Sequence, residues 1–233
     1  MSIHVYSGTI SGPYKDAERI NQDSLAYLQE NGYTVIAVAD GAGSLKSSHI
    51  GSNLAVNTAV NVAMDQLISG CDVEESLYSA VEEARSVLVG RDDSKDVGCT
   101  LVVGIITDDQ WGVVLVGDSF AVASYPESHD LIEREQDSEF INQTKLLTSH
   151  NHDPLYLVDD SEIIALTIAT DGLYHASTQK NQASVNFWNP LISMAEKGKL
   201  NINDFLSFMN DKEKIEDDTT MIIAVKDNKA HGE

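Results

Sequence analysis

The sequence predicts an α+β fold in which antiparallel sheets are covered by helices. Several apolar runs are joined by only a few residues, and such short connections join antiparallel strands, because parallel strands need a long crossover. Two helical patterns follow one another between the early and the later strands. No tract has the composition of a linker or a repeat. We therefore expect one domain over residues 1–233, with a disordered tail at 227–233.

The first 40 residues predict three strands. Residues 3–10 alternate between apolar and polar side chains, and a polar loop at 11–19 separates them from a short strand at 25–28. Asn31-Gly32 predicts a tight hairpin turn, because both residues tolerate positive φ. The run at 33–39 is apolar and rich in β-branched residues without polar alternation, which is typical of a strand buried on both faces.

Two helices are predicted next. Small and apolar residues recur at helical spacing from Ile50 to Ile68, and Gly70 ends this pattern. Asp72 and Glu75 have the spacing of an N-cap and its capping-box partner, so a second helix starts there. This helix ends near Gly90.

The remaining elements are mainly strands. Residues 126–160 are polar and predict no element. Around this region we expect strands at 98–106, 111–116, 120–125, 163–170 and 220–225, and helices near Trp188–Lys197 and Asp204–Met209.

The composition limits the partners and the compartment. The chain has 37 acidic residues against 15 Lys and Arg, which gives a formal net charge of −22. This charge argues against nucleic acid or an anionic membrane surface as a partner, since both attract cationic proteins. Cys71 and Cys99 form neither a disulfide framework nor a zinc motif. Without a signal-peptide pattern or an apolar run of about 20 residues, we expect a cytoplasmic protein that does not enter membranes.

Aspartates stand at the ends of four apolar runs. Asp40 and Asp171 follow a run and precede glycine, Asp118 follows Val-Gly, and Asp217-Asp218 precedes the last run. Each has a structural alternative, because Asp-Gly turns are common and a charged pair often marks a strand edge. If the four converge, however, their carboxylates cannot all stay ionised without a cation. Oxygen ligands suit the hard cations Mg²⁺ and Mn²⁺.

Covalent catalysis has no candidate in the sequence. No arginine stands six residues after either cysteine, where Leu77 and Ile105 are found. The chain also lacks the Gly-x-Ser-x-Gly, Gly-Lys-Ser/Thr and His-Glu-x-x-His patterns.

Six short motifs together resemble the metal-dependent serine/threonine protein phosphatases of type 2C, in particular the compact bacterial branch. They occur in the family's order and run over most of the chain: Asn21-Gln22-Asp23, 38–44, 98–103, 116–119, 169–173 and 217–221. The resemblance implies a four-layer α-β-β-α sandwich whose two central, mainly antiparallel sheets carry a binuclear metal centre at one end.

The resemblance also implies the ligands of two Mn²⁺ or Mg²⁺ ions. Asp40 would bridge both ions, the Gly41 carbonyl would bind one, and Asp171 and Asp217 would hold the other. Asp23 would act through water bound to the metal. Asp118, with Asp171, would hold a third and weaker ion.

The implied activity is hydrolysis of phosphoserine and phosphothreonine monoesters on proteins. A metal-bridging hydroxide would attack phosphorus directly, without a phosphoenzyme. The expected partners are a phosphorylated protein substrate and a cognate kinase, and the expected state is a monomer.

Two departures from the family pattern leave alternatives open. Glu18 stands where the family has a phosphate-binding arginine, so Arg19, one residue later, is the candidate for that role. Ala42 replaces a histidine of some members, which leaves metal-bound water, His150 or His152 to protonate the leaving group. The alternatives are a pseudophosphatase that binds phosphoproteins without turnover and an acidic domain that buffers cations.

Overall fold

The computed structural model describes residues 2–13, 20–134 and 144–227. The first half of the chain contains β1 (Ile3–Ile10), β2 (Ser24–Glu30), β3 (Tyr33–Ala39), α1 (Ser48–Ile68), α2 (Val73–Val89), β4 (Leu101–Ile106), β5 (Trp111–Val116) and β6 (Phe120–Ser124). The second half contains β7 (His129–Ile132), β8 (Leu155–Asp159), β9 (Ala165–Ala169), a 3-10 turn (Asp171–Leu173), α3 (Tyr174–Ser177), β10 (Thr178–Gln179), β11 (Gln182–Ala183), α4 (Val185–Glu196), α5 (Ile202–Asp211) and β12 (Thr219–Lys226).

The long strands of the described residues form two five-stranded sheets. Sheet A has the order β1-β12-β9-β6-β7, and sheet B has the order β2-β3-β4-β5-β8. Neighbouring strands in both sheets are antiparallel. The chain passes from sheet B to sheet A between β5 and β6, at Gly117-Asp118-Ser119. Sheet A thus combines strands from both ends of the described chain.

Three apolar cores hold the layers together. Helices α1 and α2 pack on one face of sheet B, and helices α4 and α5 pack on one face of sheet A. The remaining faces meet in a third core, to which Val102 and Leu115 of sheet B and Leu166 and Ile222 of sheet A contribute. Each such buried side chain stabilises the fold by about 1.5–3 kcal/mol relative to exposure. The predicted α-β-β-α sandwich is confirmed.

Two predicted local features are confirmed in detail. Asn31 and Gly32 adopt φ of 52° and 86°, as a tight hairpin of this type requires, and they connect β2 to β3. The Asp72 carboxylate accepts a hydrogen bond of 2.8 Å from the Glu75 backbone N–H and caps α2.

The prediction of no element over 126–160 is wrong at two places. β7 and β8 lie there, each at the outer edge of a sheet. Both strands are short and, apart from the buried Ile132, only partly buried or exposed, so their sequences carry little hydrophobic pattern. No helix in the described part of the chain is long and apolar enough to span a bilayer.

Candidate functional site

Three carboxylates from both sheets meet at one end of the sandwich. Asp40 follows β3, Asp118 lies at the crossing between β5 and β6, and Asp171 follows β9. One oxygen from each lies within 4.8 Å of the other two. β3 belongs to sheet B and β9 to sheet A, so the group forms only when the two sheets pack together. We call these three residues the acidic cluster.

The end of β3 is fixed by its neighbours. The Asp40 backbone N–H donates to Thr100 Oγ1 at 2.9 Å, and the Thr100 N–H donates to the Asp40 carbonyl at 2.8 Å. The next N–H, of Gly41, donates to the Gln22 carbonyl at 3.1 Å. A Cβ atom on Gly41 would lie 2.7 Å from that carbonyl oxygen and 2.8 Å from the backbone carbon of Ser48. Only glycine permits this close approach.

Asp118 is presented by a tight turn. Gly117 has a φ of +100°, which favours glycine, and a side chain there would strike Thr100. The Asp118 Oδ2 atom accepts a hydrogen bond of 2.6 Å from Thr144 Oγ1. Its Oδ1 atom is buried and has no hydrogen-bond partner within the described ranges. This oxygen therefore lacks compensation for the water it lost on folding.

Asp23 lies deeper, behind the acidic cluster. Its Oδ2 atom accepts a hydrogen bond of 2.8 Å from Thr170 Oγ1, which in turn accepts one of 2.9 Å from the Thr220 N–H. Its Oδ1 atom is buried and receives no hydrogen bond from an N–H or hydroxyl donor of the described residues. The carboxyl of Asp23 instead faces that of Asp40 closely enough for the two to share a proton.

Burial makes the ionised form of these carboxyls costly. Burial, followed by the charges of Asp23, Asp171 and Asp118, raises the pKa of Asp40 to about 9. Burial also raises the pKa of Asp23 to about 7, and burial with the charge of Asp118 raises that of Asp171 to about 6. Among the described residues, no lysine or arginine is a named cause of these shifts, and the one cationic contribution is that of His175 to Asp171. The described part of the chain thus brings acids together with little positive charge to stabilise their ionised forms.

The residues present fit a hard divalent cation. The cluster offers oxygen ligands without sulfur or nitrogen, and this donor set suits Mg²⁺ or Mn²⁺. The buried, unpartnered Oδ1 atom of Asp118 is the observation that favours such an ion, because a cation would provide the missing interaction.

Asp217 and Asp218 differ in their surroundings. The predicted ligand Asp217 is exposed, and its carboxylate accepts a hydrogen bond of 2.7 Å from the Asp218 N–H. Asp217 is not part of the acidic cluster. Its backbone carbonyl oxygen is nevertheless near Gly172, the residue after Asp171, because a Cβ atom added to Gly172 would lie 3.1 Å from that oxygen. The buried Asp218 accepts hydrogen bonds of 2.9 Å from the N–H groups of Gly12 and Gln22. Asp218 therefore connects the segments at Gly12 and Gln22 by hydrogen bonds. Metal binding by Asp217 stays a prediction.

The other candidates are placed as follows. Glu18 and Arg19 lie outside the described residues. His150 is exposed, and His152 Nε2 lies 3.4 Å from Glu82 Oε1 on α2, in an ion pair when protonated. The sequence reading missed His175 on α3, whose charge lowers the pKa of Asp171.

The sequence reading also missed the hydroxyl groups around the cluster. Thr100, Thr144 and Thr170 each bind an aspartate of the site through a side-chain or backbone atom. Thr100 and Thr170 lie within the strands predicted at 98–106 and 163–170, close to the predicted aspartates, and this position was the only indication of their role in the sequence. Cys99 is fully buried, and burial followed by the charge of Asp40 raises the pKa of its thiol, so it is no nucleophile.

Comparison with solved structures shows the same fold in bacterial phosphatases. A variant of a bacterial serine phosphatase superposes with a TM-score of 0.74 at 16% identity, covering 98% of this chain and 100% of the other. The serine/threonine phosphatase Stp1 from Staphylococcus aureus gives 0.70 at 14% identity, covering 98% and 96%. RsbX, in complex with magnesium, gives 0.57 at 17% identity, covering 96% and 94%.

Sequence comparison identifies the family. No curated protein sequence matches the chain at a significant level. The model of the family described as Protein phosphatase 2C, however, matches residues 15–207. This match covers most of the chain, including Asp23 and the whole acidic cluster, and it confirms the resemblance drawn from the six motifs. The chain belongs to the protein phosphatase 2C family, and its class is that of a protein serine/threonine phosphatase.

Proposed function

We propose that this chain hydrolyses phosphoserine and phosphothreonine monoesters on proteins with the help of Mg²⁺ or Mn²⁺. The observation that carries the proposal is the meeting of Asp40, Asp118 and Asp171 within 4.8 Å, at the junction of the two sheets. A cluster of partly buried acids with little positive charge among the described residues is unfavourable in itself. It becomes favourable when divalent cations bind it.

Two cations would be held by Asp40, Asp171, Asp217 and the carbonyl of Gly41. Asp118 together with Asp171 would hold a third, weaker ion, and the position of an Asp118 oxygen within 4.8 Å of oxygens of Asp40 and Asp171 supports this. Asp217 would join the site from the loop that leads into β12. The fixed backbone at Asp40 and Gly41 favours a ligand set that needs little rearrangement.

When bound, such cations lower the pKa of water and offset the charge that develops on phosphoryl oxygens. The residues of the chain orient the site around them. Thr170 holds Asp23 in place through a hydrogen bond of 2.8 Å, and in the metal-free protein burial raises the pKa of Asp23 to about 7. Attack on phosphorus is direct in this proposal, because the described residues offer no activated side-chain nucleophile beside the cluster.

The proposal also includes the substrate, the cellular compartment and the oligomeric state. The substrate is a phosphorylated protein supplied by a cognate kinase, and Arg19 binds its phosphate. The chain works in the cytoplasm as a monomeric single domain without nucleic acid as a partner. Its net charge of −22 argues against a nucleic-acid partner.

Hydrolysis of para-nitrophenyl phosphate tests the activity. We expect turnover with Mn²⁺ and its loss in EDTA. Asp40→Asn should lower kcat/KM by about 100-fold or more, because it removes a charge on which both cations depend. Asp65→Asn, on the exposed face of α1, is the matched control and should keep the wild-type rate. Activity that survives chelation, or that survives Asp40→Asn, would reject the mechanism.

The alternative is a pseudophosphatase that binds phosphoproteins without turnover. Glu18 at the place of the family's arginine is the observation that favours it. Tight binding of a phosphopeptide without hydrolysis in saturating Mn²⁺ would establish this alternative. A cation-buffering domain would instead show many weak metal sites in a calorimetric titration, where the phosphatase proposal expects two or three defined ones.

A further inference from the structure

Two cations converge on one carboxylate close to the acidic cluster. Arg134 Nη2 lies 2.5 Å and Lys145 Nζ 2.8 Å from the same oxygen, Oδ2 of Asp153. The Lys145 hydrogen bond, with the charge of Arg134, holds the pKa of Asp153 below its usual range. Lys145 and Asp153 are partly accessible, with exposures of 33% and 50%, whereas Arg134 is mostly buried, with 17% of its side chain exposed. We call these three residues the cationic triad.

The backbone ties the cationic triad to the site. Thr144, the residue before Lys145, donates its hydroxyl to Asp118 at 2.6 Å. The Lys145 carbonyl oxygen would lie 3.4 Å from a Cβ on Gly117. Lys145 is therefore fixed beside the turn that presents Asp118, about one residue length from it.

The three side chains of the cationic triad carry one net positive charge, because two cations share one aspartate. The neighbouring Glu133 is hydrogen-bonded to the Tyr174 hydroxyl and not to either cation of the triad. This local positive charge is unusual in a chain with 15 basic and 37 acidic residues. The pair of Lys145 and Asp153 is partly exposed, and exposed ion pairs contribute little to stability, so the fold itself gains little from bringing Lys145 to this carboxylate.

We infer that Arg134 and Lys145 bind an acidic side chain of the protein substrate, next to the phosphorylated residue. The inference rests on the proposed function and makes it more specific, since it names phosphopeptides with flanking Asp or Glu as the preferred class. A guanidinium and an ammonium that already share one carboxylate are spaced to accept a second one. Elsewhere the strongly acidic surface repels such a peptide, so its recognition requires local cations.

The competing explanation is that the cationic triad is only a structural ion pair. A substitution of Asp153 distinguishes this explanation from substrate binding. If the cationic triad only anchors the loop, Asp153→Asn and Lys145→Gln break the same contact and have effects of the same sign. If the cations bind substrate, Asp153→Asn frees them and strengthens binding of acidic peptides, whereas Lys145→Gln weakens it.

The experiment compares two phosphothreonine peptides that differ only in having Glu or Gln around the phosphorylated residue. The readout is the ratio of their kcat/KM values with Mn²⁺ at low salt, in which any general loss of activity cancels. We expect wild type to prefer the Glu peptide by about three- to tenfold, and less at 0.5 M NaCl because salt screens the charges. Arg134→Gln with Lys145→Gln should abolish the preference, and Asp153→Asn should keep or increase it.

Lys197→Gln is the matched control, because Lys197 is exposed, directly follows α4 and donates to the hydroxyl of Ser193. It should retain the wild-type ratio. Equal kcat/KM for both peptides, or a preference for the Gln peptide, overturns the inference while hydrolysis of either peptide upholds the phosphatase proposal. If neither peptide is hydrolysed, the phosphatase proposal fails separately, and fluorescence anisotropy then decides the inference: tighter binding of the Glu peptide supports it, and equal binding overturns it.

Discussion

The carboxyl of Asp40 is the side chain on which the electrostatics of the site concentrate. It faces Asp23 on one side and Asp118 and Asp171 on the other, and its pKa is raised to about 9 by burial and by these charges. Its backbone is meanwhile held on both sides by Thr100. The Asp40 backbone therefore has little freedom to move the carboxyl away from its neighbours. A proton or a cation must neutralise the charge of this carboxyl.

This arrangement predicts how the stability of the metal-free protein depends on pH. The folded pKa values of Asp171, Asp23 and Asp40, about 6, 7 and 9, all exceed the ordinary value of 3.8. The folded state then binds more protons than the unfolded state. The stability that these groups contribute is complete below pH 4 and is lost as pH rises through each folded pKa.

The free energy of unfolding in EDTA should accordingly fall between pH 5 and pH 9, as urea denaturation at several pH values would measure. Asp40→Asn removes the group with the highest pKa, so it should flatten the decline. Asp65→Asn should leave the slope unchanged, because Asp65 is exposed on α1. An equally steep decline in Asp40→Asn would contradict the assignment of the effect to the cluster.

Among individual residues, the aspartates of the site were more predictable from the sequence than the residues that form hydrogen bonds with them. Asp40, Asp118 and Asp171 were identifiable because each follows an apolar run. The choice between Asp217 and Asp218 was less accessible, because adjacent side chains meet surroundings that depend on distant segments such as Gly12 and Gln22. Thr144 and Lys145 lie in a polar stretch without periodicity, so nothing local marked them.

Among the elements, the central strands were predictable and the edge strands were not. β3, β4 and β5 are almost entirely buried, and their continuous apolar runs leave few other interpretations. β7 and β8 gain their conformation by pairing with β6 and β5, which is tertiary information. The short segment of α3, β10 and β11 was missed for the same reason.

The junction of β3 with the loop after it gives a prediction about Gly41. Gly41→Ala places a methyl group against backbone atoms of Gln22 and Ser48, which cannot move aside as a side chain would. We expect destabilisation by about 1–3 kcal/mol in urea denaturation and a weaker response to Mn²⁺, since the shift displaces Asp40.

Gly90→Ala provides the comparison for Gly41→Ala. Gly90 has a φ of −72° at the end of α2, which alanine adopts readily, and a Cβ there would lie 3.1 Å from the Ser86 carbonyl oxygen, a milder contact than the 2.7 Å at Gly41. Its stability should stay within about 0.5 kcal/mol of wild type. Wild-type behaviour of Gly41→Ala in both assays would show that the loop tolerates displacement there.

For the whole molecule, the net charge of −22 makes cation binding a matter of stability as well as of catalysis. Ions that bind only the folded state raise the melting temperature with their concentration. At a Mn²⁺ concentration of 100 times Kd, the gain is about 2.7 kcal/mol for one site, or roughly 5–10 °C for a chain of this length.

Differential scanning fluorimetry measures this shift, and EDTA should reverse it. NaCl at matched ionic strength separates specific binding from general screening of the acidic surface. Asp40→Asn should respond to Mn²⁺ no more than to NaCl. A wild-type melting temperature indifferent to Mn²⁺ would argue against a metal centre in this protein.

The position of β12 bears on how the molecule is assembled during synthesis. β12 lies between β1 and β9 in sheet A, although β1 is the first and β12 the last of the strands that the structure describes. On the ribosome, β1 emerges long before the neighbour that completes its hydrogen bonds. The β2-β3 and β4-β5 hairpins of sheet B pair strands that are close in sequence, so they can form earlier. The two sheets can pack together, and the acidic cluster can form, only after β12 has been synthesised.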